Sequence, residues 1–156
     1  MTREKNSSIK KLATKQDSQG TDLEIFFQDS MTGCPAMSMF LKTYAELLDL
    51  GWAHPNMTWS NKCRMIWAEH HEEVVGGICY EYASDTRIGW IILSFVDPAW
   101  RGRRINELLQ TAIEDDLRRS GADRLGSLVH VDNQPRQKAA ARTGLVPQFY
   151  RMNKTL

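Results

Sequence analysis

The stretch Ile88-Gly89-Trp90-Ile91-Ile92-Leu93-Ser94-Phe95-Val96-Asp97-Pro98-Ala99-Trp100-Arg101-Gly102-Arg103-Arg104-Ile105-Asn106 joins a nearly continuous apolar run to a dense cluster of arginines. Ile88 to Val96 is apolar nearly throughout, which predicts a strand buried on both faces. Asp97-Pro98 ends it. Beyond Arg101, Arg103 and Arg104, the residues Ile105, Leu108, Leu109, Ala112, Ile113 and Leu117 recur at helical spacing, and Ser120-Gly121 supplies the stop. Strand, tight turn and helix therefore follow one another. A helix N-terminus carries unpaired N–H groups and the positive end of the macrodipole, so the turn suits an anion such as a phosphate. A solvated charged loop is the competing reading, and charge alone does not separate the two.

Outward from this stretch, the remaining elements fall into a simple order. Leu23 to Gln28 predicts a first strand. Met37, Phe40, Leu41, Tyr44, Leu47 and Leu48 form one stripe of an amphipathic helix that stops at Gly51. Arg64–Glu69 and Val74–Tyr82 flank a short polar turn and read as a hairpin. Arg124 to Val131 predicts another strand. Gln134 to Thr143 predicts a short helix with Asn133 as N-cap, Pro135 in the first turn and Gly144 as stop, and Phe149 to Met152 predicts a last strand. Grouped strands followed by alternating helices imply an α/β (α+β) fold, a mixed and mostly antiparallel central sheet flanked by helices. Residues 22–156 form a single domain in this reading. Residues 1–21, basic and poor in large aliphatics, read as a flexible tail, with a basic arm that touches a partner as the alternative.

Composition narrows the function. The chain has 156 residues with 20 basic and 19 acidic side chains, a formal charge of +1, which argues against a dedicated nucleic-acid binder. Cys34, Cys63 and Cys79 show neither a disulfide framework nor metal-ligand spacing, and they fit reduced thiols in the cytoplasm. No apolar run is long enough for a membrane span, and the first residues lack the apolar stretch of a signal peptide. Glu69-His70-His71-Glu72-Glu73 lacks the spacing of a zinc-binding helix and reads as a solvated hairpin turn, so no metal is expected.

The spacing around the arginines resembles the acetyl-CoA-binding turn of the GCN5-related N-acetyltransferase superfamily, Val-x-Pro-x-x-Arg-Gly-x-Gly-Ile-Gly-x-x-Leu-Leu. Val96, Pro98, Arg101, Gly102, Ile105, Leu108 and Leu109 stand at matching places. Asn133, followed eleven residues later by Gly144 and then Leu145, reproduces the family's second hallmark. Arg104 and Asn106 depart from it, standing where the family usually has glycine or alanine, and Ala140 stands where many members carry a tyrosine that protonates the leaving thiolate.

The resemblance implies an N-acetyltransferase that moves an acetyl group from acetyl-CoA to a primary amine of a small molecule or protein. The backbone of Phe95 and Val96 would flank the pantetheine arm. The N–H groups of Arg101, Gly102, Arg103, Arg104, Ile105 and Asn106 would hold the pyrophosphate, and Asn133 would contact the cofactor side. A homodimer is compatible with this reading. Attack on the thioester needs an uncharged amine, and a free lysine-like amine has a pKa near ~10.4, so a base should line the cleft. Glu81 is the best carboxylate candidate, with Ser94 as a water-positioning group and His130 and Tyr150 as outside candidates. A glutamate on an exposed sheet face is the plain alternative for Glu81. The vacant tyrosine position and the altered glycines support a second hypothesis, a catalytically reduced protein of the same fold with a binding, structural or regulatory role.

Overall fold

The computed structural model describes residues 9–53, 60, 62–148, 152 and 154. Among the described residues six strands, β1 (Ile9–Gln16), β2 (Asp22–Gln28), β3 (Arg64–His70), β4 (Glu73–Ala83), β5 (Ile88–Val96) and β6 (Arg124–Ser127), lie side by side in chain order. The helices are α1 (Met37–Asp49), α2 (Ile105–Ser120) and α3 (Gln134–Arg142). Neighbouring strands are antiparallel up to β5, and only β5–β6 is parallel. This is the mixed, mostly antiparallel sheet the element order predicts.

Each face of the sheet carries its own core. Phe40 of α1 packs with Met65, Trp67, Cys79, Leu93 and Phe95 on one side. On the other, Ile105, Leu109, Ile113 and Leu117 of α2 pack on Leu23, Ile25, Ile66, Ile78, Tyr80 and Ile91. Side chains of a strand alternate between faces, so Ile91 and Leu93 should share a side. They do not. Cys79 stands opposite Leu93 and Tyr80 opposite Ile91, leaving Ile92 as the extra residue of a β-bulge that reverses the alternation. The run Ile88–Val96 is thus buried at every second position, with the intervening residues half-buried rather than enclosed on both faces.

Glycines let the layers close. A Cβ on Gly89 would lie 2.3 Å from Leu117 Cδ1, so α2 presses directly on β5 at this position.

Further expectations change, and one is not reached. Residues 9–16 are not a flexible tail: they form β1, antiparallel to β2. The reason is that a strand satisfies its backbone through the ladder and can leave most side chains in water, as β1 does; residues 1–8 lie outside the described residues. The strand predicted over 124–131 ends at Ser127, because β5 bulges away just beyond Ile91, where their pairing stops. The last strand predicted over 149–152, with Tyr150, falls outside the described residues apart from Met152. The histidine turn is a hairpin turn, with His71 and Glu72 at φ 48° and 66°. Glu69 at its start is buried rather than solvated, accepting Trp67 Nε1–H at 2.9 Å.

Candidate active site

Parallel pairing joins Ile88 to Arg124 and ends with Ile91 opposite Ser127. Past that point β5 continues to Val96 without β6 beside it, so the sheet opens into a gap. Ile92, the bulged residue, stands at the apex. Asp97 N–H donates to Val75 O at 2.9 Å, toward β4. By strand alternation the backbone groups of Val96 and Ser94 then face the gap, while those of Phe95 turn to β4. Phe95 contributes packing instead: its ring is buried edge-on to Phe40, and a Cβ on Gly77 would strike it at 2.5 Å.

The turn after β5 is built by local chemistry. Asp97 Oδ1 accepts Ala99 N–H at 2.8 Å and starts one 3-10 turn, Pro98–Trp100. Gly102 and Arg104 both take left-handed backbone, at φ 78° and 58°. Arg104 then N-caps α2 with no side-chain cap bond. Its carbonyl accepts from Glu107 at 3.2 Å and Leu108 at 3.3 Å, while the N–H groups of Ile105 and Asn106 begin the helix with no turn before them to pair with. The side chain of Ile105 is core; only its backbone faces the turn.

The three arginines are not equivalent. Arg101 and Arg104 are exposed. Arg103 lies 4.4 Å from the centre of the Trp100 ring and donates to Asp17 Oδ2 at 3.4 Å and Thr21 Oγ1 at 3.3 Å. Its carbonyl accepts Ser18 N–H at 3.1 Å. The β1–β2 turn therefore braces the arginine turn, a role invisible in composition. Burial would raise the Asp17 carboxyl pKa, but the Thr21 and Gln19 N–H groups and Arg103 hold it below the ordinary value. Two clefts flank the turn, about 380 Å³ beside Asp17, Arg104 and Glu107, and about 480 Å³ between α1, Val96 and Arg101. Neither includes a residue of β6, so neither is the gap itself.

Asn133 caps α3 as predicted, accepting Arg136 N–H at 3.2 Å. Ala140 is buried. Glu81 and Ser94 do not come together. Ser94 sits opposite Ile78 of the α2-side core, so it faces α2; Glu81 sits opposite Trp90 on the α1 side, where Ser60 Oγ donates to it at 3.2 Å. On that side Trp52, just beyond α1, stacks on His130 with ring centres 6.3 Å apart. His130 Nδ1 accepts Asp132 N–H at 3.1 Å, which leaves Nε2 as the N–H of the neutral ring.

Among the described residues some buried polar atoms lack partners, including Ser94 Oγ, Asn106 Oδ1 and both Nη atoms of Arg136. Sequence reasoning passed over Trp52, Asp17 and Arg136. No local pattern marks the first two; Arg136, three residues past the N-cap, carried a signal only in being a charge in a helix's first turn.

The comparisons agree with this geometry. The profile of the acetyltransferase (GNAT) family matches residues 35–145. An aminoglycoside acetyltransferase, meta-AAC0020, from an uncultured soil metagenomic sample superposes with a TM-score of 0.65 at 14% identity, covering 86% of this chain and 96% of that one. A ribosomal-protein-alanine N-acetyltransferase from Brucella melitensis biovar Abortus 2308 gives 0.64 at 12% identity, covering 86% and 99%. The aminoglycoside enzyme AAC(6')-Iy, in complex with a CoA bisubstrate analogue, gives 0.51 at 17% identity, covering 80% and 84%. No curated protein matches the chain in sequence. With its profile matched over most of its length, the chain belongs to the acetyltransferase (GNAT) family.

Proposed function

We propose that the chain transfers an acetyl group from acetyl-CoA to a primary amine, with the two substrates reaching the β5–β6 gap from opposite faces of the sheet. The observation that carries this reading is the end of β5–β6 pairing at Ile91 and Ser127, which frees Val96 and Ser94 backbone beside an anion-holding turn. The residues present suit acetyl-CoA. Gly102 has left-handed backbone with open space around its Cβ position, so a phosphate can approach. Ser94 Oγ and Asn106 Oδ1, buried without partners, offer polar atoms for the amides of a pantetheine arm. Ser94 thereby moves from the catalytic to the cofactor side of the reading.

On the α1 side, Glu81 takes the amine proton in this reading. Trp90 covers Gly126 between Glu81 and β6, so the proton passes through a water. Trp52 and His130 line the acceptor's approach. As the amine nitrogen bonds to the acetyl carbon, the carbon–sulfur bond breaks. A thiol with a pKa near the ~8.5 of cysteine leaves as thiolate without a strong acid, consistent with Ala140. Three buried free cysteines fit a reducing cytoplasm.

Calorimetric titration with acetyl-CoA tests the cofactor half: binding is expected, weakened tenfold or more in Gly102→Val, whose Cβ would force a strained turn. Thiol release over an amine panel tests the chemistry, with Glu81→Gln expected to lower turnover about 10²-fold at unchanged acetyl-CoA affinity. No binding at millimolar acetyl-CoA overturns the reading. Binding without turnover on any amine moves it to the catalytically reduced alternative.

A further inference from the structure

On the α2 side of the gap one charge is unanswered among the described residues. Arg136 stands in the first turn of α3, and both of its Nη atoms are buried without a hydrogen-bond partner. Other buried or half-buried arginines are paired: Arg64 with Asp116 at 2.8 Å, Arg103 with Asp17 at 3.4 Å. A guanidinium cannot shed its proton at neutral pH, so an unpaired one removed from water is a standing penalty unless an anion joins it. Burial lowers its pKa in keeping with that.

The surroundings say which anion. Arg142, six residues on, donates to Glu107 in the first turn of α2 at 3.1 Å, and six residues of helix span about 9 Å. At its other end α3 is tied to the segment leaving β6, where Gln137 Nε2 reaches His130 O at 3.1 Å and Val131 O at 2.6 Å. Arg136 thus lies between the first turn of α2 and the strand end that borders the gap. Ser94 Oγ and Asn106 Oδ1, orphaned too, belong to the other elements bordering it. Asn106 Oδ1 can only accept, and Arg136 can only donate. One ligand that offers amide N–H groups and an anion would answer both, and pantetheine joined to a pyrophosphate is such a ligand. The turn itself is poor in glycine, since Arg104 and Asn106 place Cβ atoms where backbone would otherwise approach a phosphate, so charge from across the groove has a function.

We infer that Arg136 is a phosphate ligand, pairing with the pyrophosphate of coenzyme A from the α3 side, opposite the N–H groups of residues 101–106. This rests on the acetyl-CoA reading above.

The test is calorimetry on the full chain with coenzyme A, dephospho-coenzyme A and pantetheine, beside thermal melts of the ligand-free protein. Arg136→Met is expected to leave the free protein as stable or more stable, since a buried unpaired charge is removed. It is expected to weaken coenzyme A and dephospho-coenzyme A alike by tenfold or more, because both carry the pyrophosphate, and to leave pantetheine unchanged. Arg136→Lys should recover part of the loss; if the Met variant does not fold, Arg136→Gln replaces it. Wild-type affinity in a folded Met variant overturns the inference and makes Arg136 a packing residue. A loss confined to coenzyme A overturns the pyrophosphate assignment in favour of the 3′-phosphate. Failure of the wild-type protein to bind coenzyme A would instead sink the underlying acetyl-CoA reading.

Discussion

At the C-terminal end of α2, Asp116 accepts the Tyr80 hydroxyl at 2.7 Å and Arg64 at 2.8 Å, and Arg64 also reaches Ser120 Oγ at 2.7 Å. Burial and the bond to Asp116 push the Tyr80 phenol far above its ordinary range. At the N-terminal end, Asn106 Oδ1 has no donor among the described residues, and Ser94 and Arg136 on the adjoining elements are orphaned among them as well. Both ends pack on the same core. A satisfied network stabilises the free chain, whereas orphaned atoms cost free energy until something binds them. Stability and binding are therefore separated along one helix, and the two ends should respond differently to the same kind of mutation.

The largest effect is expected from Asp116→Ala. It strands the buried Tyr80 hydroxyl and leaves the Arg64 guanidinium only Ser120 Oγ in place of its ion pair, and should cost about 2–4 kcal/mol in urea unfolding, a range that allows for partial hydration of Arg64. Coenzyme A affinity of the folded fraction should not change. Asn106→Ala at the other end should leave unfolding nearly unaltered and weaken coenzyme A several-fold. Equal stability losses at the two ends would break the contrast.

A second, smaller effect concerns the brace on the arginine turn. The Asp17 carboxyl is held below its ordinary 3.8 in the folded protein, so its contribution is complete above the unfolded value and disappears as pH falls through the folded one. Melting temperature should therefore drop on acidification below about pH 4, and Asp17→Asn should lower the plateau while flattening that part of the profile. An unchanged acid limb in the variant would assign it to other carboxylates.

Much of this was legible beforehand, for identifiable reasons. Three helices were readable because apolar stripes and stop signals are local: Gly51 and Gly121 adopt the left-handed backbone their positions imply, and Asn133 caps α3. The arginine turn was readable because residue spacing encodes it. What escaped was non-local. The strand character of Ile9–Gln16 depends on pairing with β2, which composition does not carry. The opposite orientations of Glu81 and Ser94 depend on strand register and on the bulge at Ile92, where one extra residue flips every side chain beyond it. That the Arg136 Nη atoms find no partner among the described residues depends on what separate elements bring near them, which no single window of sequence contains.

The smallest effect, and the finest probe of the binding end, is Arg104→Gly. Arg104 holds φ 58° on an exposed residue with no capping bond, a conformation that costs a residue with a Cβ about 1 kcal/mol or more. Glycine removes that strain but enlarges the conformational freedom of the unfolded chain, which gives back up to about 1 kcal/mol. The two nearly cancel, so thermal melts should shift by only a few degrees. Binding is where the variant should show itself. Without the Cβ, the backbone can close on a phosphate, and coenzyme A affinity should rise modestly while its dependence on salt stays the same, because the Arg104 charge lies outside the contact. A fall in affinity with a shallower salt dependence would mean the opposite: that the Arg104 side chain itself grips the phosphate, and that this turn trades backbone approach for charge on both sides of the groove.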